Sequence, residues 1–131
     1  MSGGAAIAAR YKSVQVQTCS PGQLVVMLFD GCMRFAKEAQ TAMEAKDRAR
    51  AGERISKAHA ILEELVSTLD PGPAPELAES LGALYLFCMH QMLKANIAQD
   101  PGILADVVEV LRPIREGFAE AAAKTPPPRP R

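Results

Sequence analysis

Apolar positions recur at helical spacing along most of this chain. The first helix is predicted from about Pro21 to about Ala45. Ser20 and Gln23 have the spacing of a capping box, with Pro21 at the first helical position, where its missing N–H costs nothing. Leu24, Leu28, Phe35, Ala39 and Ala42 form one stripe, widened by Val25, Phe29, Cys32, Ala36 and Met43. Asp30, Arg34, Lys37, Glu38 and Thr41 hold the polar face. The run Leu24 to Phe29 is unbroken, and the apolar arc covers about half the circumference, wider than the ~100° stripe that one core requires.

The segment from Lys46 to Arg54 is charged and contains the turn into a second helix, with Asp47 as its N-cap. That helix is predicted to reach about Leu69. It is conventionally amphipathic, with Ile55, Ala58, Leu62, Leu65, Val66 and Leu69 on one side. Asp70-Pro71-Gly72-Pro73-Ala74-Pro75 ends it. A third helix follows to about Ile97, with Glu76 and Glu79 near its positive end. Its run from Ala83 to Met89 is apolar nearly all round, so this helix is either central or covered by something else. Asp100 and Pro101 begin a fourth helix with Ile103, Val107, Val110, Leu111, Ile114, Phe118 and Ala121 on one face. Pro113 and Gly117 lie inside it and predict a kink or early fraying near Val110 to Gly117.

Helices of this length joined by short loops predict an all-α fold, an antiparallel up-down four-helix bundle, with an N-terminal arm or short extra helix. The expected organisation is a flexible arm over residues 1–17, a bundle over 18–124 and a disordered Pro-rich tail over 125–131. No strand pattern and no internal repeat stand out.

Composition narrows the function. At 131 residues one domain is expected, long enough for a real core. The 15 basic and 15 acidic residues cancel, so there is no cationic excess for nucleic acid. The three cysteines, Cys19, Cys32 and Cys88, are isolated and suit a reduced cytosolic compartment as small packing residues. No run approaches the ~18 residues of a membrane span, and no secretion signal is expected at the start.

Candidate chemistry is sparse. His59 and His90 lack a Glu three residues earlier, so the di-metal bundle motif is missing, and neither sits in HExxH. Both fall at or beyond the edge of an apolar stripe and read as structural. No phosphate loop or nucleophile elbow is present. These observations predict a non-enzyme with no cofactor and no metal. Gly31, in mid-helix, weakens the helix by about 1 kcal/mol against Ala; close approach of another backbone is one reason to keep it, and plain drift is the alternative. The Pro-x-x-Pro tail reads as a disordered end rather than a ligand for a dedicated reader. What remains is hydrophobic surplus. It has three explanations: a binding groove, self-association of a second copy, or two deeply buried helices.

A resemblance favours the groove. Tyr11, then Thr18-x-Ser20-Pro21, then Leu28-Phe29-Asp30-Gly31 is similar to the opening of the flagellar export chaperone family (FliS). Lys57-Ala58-x-x-Ile61-x-x-Glu64-Leu65-x-x-x-Leu69-Asp70 resembles that family's second helix. Leu81-x-x-Leu84-Tyr85-x-x-x-Met89-x-x-x-Leu93-x-Ala95-Asn96 resembles its third. The similarity spans residues 11–118. Phe118 stands where the family often has Trp.

The resemblance implies a cytosolic chaperone that binds the disordered C-terminal segment of flagellin in apolar grooves. The guest folds into helices there, does not polymerise early, and stays ready for export. Tyr11, Val14 and Val16 would form an arm across the bundle, covering part of the groove until flagellin displaces it. Leu24, Met27, Leu28 and Gly31 would line the first helix. Tyr85, Leu86, Met89 and Leu93 would present the third, with Asn96 anchoring peptide backbone. Contact with an export-gate component and a homodimer are left open, and neither nucleic acid nor membrane insertion is expected. The alternative is a self-assembling or adaptor module that binds another amphipathic helix.

Overall fold

The computed structural model describes residues 21–124. It contains four helices, α1 (Pro21–Glu44), α2 (Arg48–Ser67), α3 (Pro75–Ala98) and α4 (Pro101–Ala123). The arm with Tyr11, Val14 and Val16, the cap residue Ser20, Cys19 and the tail 125–131 lie outside the described residues.

Two of the connections reuse one device. Lys46 and Gln99 adopt the left-handed conformation, with φ of 62° and 52°, and turn the chain out of α1 and α3. The next residue closes the helix. The Asp47 N–H donates to the Ala42 carbonyl (2.8 Å), and the Asp100 N–H to the Ala95 carbonyl (3.1 Å). Each aspartate also opens the following helix. Asp47 Oδ1 accepts from the Arg50 N–H (3.1 Å), and Asp100 Oδ1 from the Gly102 N–H (2.9 Å). Helix closure and helix start therefore fall on the same residue, which makes these hairpins short and the bundle antiparallel.

Among the described residues, α1 packs on α2 and α4, and α3 packs on the same two from the opposite corner. The core is continuous. Phe29 of α1 reaches across to Tyr85 of α3, ring centroids 6.0 Å apart and edge-on, and to Phe118 of α4 at 5.7 Å. Arg115 of α4 grips Asp30 of α1 from outside with two bonds, of 2.8 and 3.1 Å.

Two expectations change. Leu28, Phe29, Cys32, Met33, Phe35, Ala36, Ala39, Ala42 and Met43 of α1 are all buried. The surplus assigned to the first helix is thus absorbed by the bundle, apart from the half-buried first turns. The cause is small residues that let α2 come close. A Cβ on Gly31 would lie 3.2 Å from Ile61 Cδ1, and Cys32 Sγ reaches the Ala58 carbonyl at 3.6 Å. In α4, fraying does not occur, because the helix runs unbroken through Pro113 to Ala123. Pro113 faces solvent, where the carbonyl left without a donor can be hydrated, while Leu111 is buried and Ile114 and Phe118 pack on the core around it.

Candidate functional site

α3 carries apolar residues on two opposite faces. The inward set, Tyr85, Cys88, Met92 and Ala95, follows the 3-4-3 spacing of a buried stripe. The outward set comprises Leu86, Phe87, Leu93 and Ile97, whose exposures are 58%, 52%, 48% and 81%. Together with Leu77 at the start of the same helix, these are the large exposed hydrophobic residues of the described chain. Such residues are common singly, but a run of them along one face marks an interaction surface. From Leu86 to Ile97 the face extends for about 16 Å at 1.5 Å per residue. Half-buried Met89 links it to the core.

Its electrostatics are simple. Between Glu79 and Asp100 the sequence has no carboxylate, and His90 and Lys94 are the charged or titratable groups on this surface. Both are exposed. Beneath the surface lie weak acids held protonated. Burial, then the nearby Cys88, pushes the Tyr85 hydroxyl up to about 12, and burial pushes the Cys88 thiol up to about 11. Burial raises Cys32 as well. These groups are inert packing atoms rather than nucleophiles.

The clefts add less. One, about 460 Å³, is a polar furrow between α1 and α4 that includes Asp30, Lys37, Arg112 and Arg115. Much of its charge is already paired internally, as in Arg115 with Asp30 and Glu116. Two apolar clefts lie at the end of the bundle where α1 starts and α4 stops. One, about 310 Å³, includes Val26, Met27 and Ala122, and the other, about 160 Å³, includes Leu69, Leu77, Leu81 and Phe118. Among the described residues no group of three or more His, Cys, Asp or Glu is placed to hold a metal. No described helix is long and apolar enough to cross a membrane.

The residues expected at the site separate into three groups. Leu86, Leu93 and Met89 fall on the outer or flanking face of α3, and Leu24 and Met27 lie half-buried on the first turns of α1. Leu28, Gly31 and Tyr85 are in the core, because α1 is enclosed by its neighbours and α3 turns Tyr85 towards Phe29. Asn96 is half-buried beside Gly52 of α2, and its Oδ1 accepts from Gln99 Nε2 (3.2 Å), so the helix end already uses it. Phe87, Ile97 and Leu77 were not anticipated. Ile97 was legible as the next helical step after Leu93, whereas Phe87 was hidden in an all-apolar run. His90 stands within the exposed apolar surface, not at its edge.

The family model for flagellar protein FliS matches residues 4–125. The flagellar secretion chaperone FliS of Bacillus subtilis is 36% identical over 111 residues, covering 85% of this chain and 82% of that protein. Its namesake in Vibrio cholerae is 33% identical over 112 residues, covering 82% of each chain. That of Salmonella typhimurium is 33% identical over 110 residues, covering 83% of this chain and 82% of its own.

Proposed function

We propose, from the premise that this chain belongs to the FliS family of flagellar secretion chaperones, that it holds the disordered C-terminal segment of flagellin against the outer face of α3. The observation that carries this reading is the row Leu86, Phe87, Leu93 and Ile97, left uncovered by a bundle that buries its other large apolar stripes. An amphipathic guest helix with apolar anchors at matching spacing covers such a row. A guest so engaged cannot polymerise through the same residues, and it remains a separable chain for export.

Magnitudes decide how much of the surface the guest needs. Leu86, Phe87 and Leu93 are already about half shielded and Ile97 is mostly exposed; covering them contributes about 1 kcal/mol each, somewhat more for Ile97, or about 4–5 kcal/mol for the row. Ordering a disordered segment costs roughly 2–5 kcal/mol. The row alone therefore leaves little net affinity. The guest also has to reach a second patch, for which the apolar clefts beside Met27 and Leu77 are the available candidates. Tyr11, Val14 and Val16 of the arm belong to the same proposal as displaceable cover.

The test is a calorimetric titration of the full chain with the C-terminal segment of the flagellin encoded in the same genome, paralleled by circular dichroism. A one-to-one complex that gains helix supports the reading, and deleting residues 1–17 should tighten it. Absence of binding, or binding without gain of helix, contradicts it.

A further inference from the structure

His90 occupies the middle of the exposed apolar surface. On a helix, residues three and four apart are surface neighbours. Those positions around His90 are Leu86, Phe87, Leu93 and Lys94, and Ile97 follows one turn beyond Leu93. A guest that covers the four apolar side chains therefore covers the imidazole too. The neutral ring tolerates that, with one donor and one acceptor at its rim. The imidazolium does not, because cover strips water from a charge. Lys94, four residues on, adds like-charge repulsion and makes no ion pair with any described residue.

None of the carboxylates on α3 or on its two packing partners pairs with His90. Glu79 lies eleven residues back along α3. On the flank of α2, His59 and Glu63 pair with each other at 3.6 Å. On α4, Glu109 pairs with Arg112 at 3.2 Å, and Asp106 makes no ion pair among the described residues. None of these groups has an ion pair or hydrogen bond with His90.

We propose that His90 makes the docking of a guest helix on α3 dependent on pH, with the guest held when the ring is neutral and released as it gains a proton. This rests on the reading of α3 as the docking face. The sign follows from linkage. The bound state disfavours the protonated ring, so affinity is complete above the pH range in which histidine titrates and falls on passing down through it.

The experiment is a calorimetric titration of the full-length chain with the synthetic flagellin C-terminal segment at about pH 7.5 and about pH 5.5. Wild type, His90→Gln, His59→Gln and Leu93→Asp are compared. Wild type and His59→Gln should each lose about tenfold in affinity on acidification, and His90→Gln should change by less than about twofold. Wild-type affinity that is flat or rises on acidification overturns the proposal, as does an equal loss in His90→Gln. Flat wild-type affinity that Leu93→Asp still abolishes removes only the role of His90. Wild type that does not bind at the higher pH removes the docking reading as well.

Discussion

Tyr85 and Leu86 are adjacent in sequence and opposite in fate, one fully buried against Phe29 and one more than half exposed. Substitution should separate them. Tyr85→Asp strands a charge in the core and should cost more than about 4 kcal/mol, seen as loss of cooperative thermal unfolding. Leu86→Asp should leave stability within about 0.5 kcal/mol and act on guest binding alone. Gly31 poses a different test. Its missing Cβ makes room for Ile61 Cδ1, a movable tip rather than backbone, so Ala should be nearly neutral as helix propensity offsets the squeeze. Gly31→Val should cost about 1–3 kcal/mol by overpacking the contact between α1 and α2, measurable by urea denaturation. The sequence marks Gly31 as unusual and suggests another backbone close by, whereas the structure places a side-chain tip there. That neighbour sits thirty residues away, and only the pairing of the two helices brings it near.

Helix boundaries were legible because proline and aspartate announce them. Pro75 and Pro101 open their helices, and Asp47 and Asp100 cap theirs, as the sequence predicts. The direction in which each helix faces was less legible. α2 has one apolar stripe and so one possible inward side. α3 is apolar all round, and nothing local says which face meets the core; α2 and α4 decide that by packing on Cys88, Met92 and Ala95. α1 looked too greasy for its bundle because its small residues read as apolar surface, when they act as room for close neighbours. Two substitutions test the account of the elements. Lys46→Gly relieves a left-handed residue with a side chain and should raise stability by about 1 kcal/mol. Pro113→Ala restores a backbone donor on the solvent face of α4 and should stabilise by up to about 3 kcal/mol. Both are read as shifts in melting temperature.

Among the described residues the bundle closes a continuous core, and the large exposed apolar side chains lie on α3. α1 is held on both sides, whereas α3 meets the same two neighbours less closely and turns four large side chains outward. The 460 Å³ furrow is polar, largely paired within itself, and belongs to the opposite corner. The most direct measurement is therefore the affinity of the flagellin C-terminal segment for the Leu86→Asp/Leu93→Asp variant, set beside Lys37→Asp in the polar furrow. Loss of at least about tenfold in the α3 variant, with unchanged melting temperature and near-wild-type binding by Lys37→Asp, is the predicted result. Wild-type affinity in the α3 variant would contradict the assignment of this face to the guest.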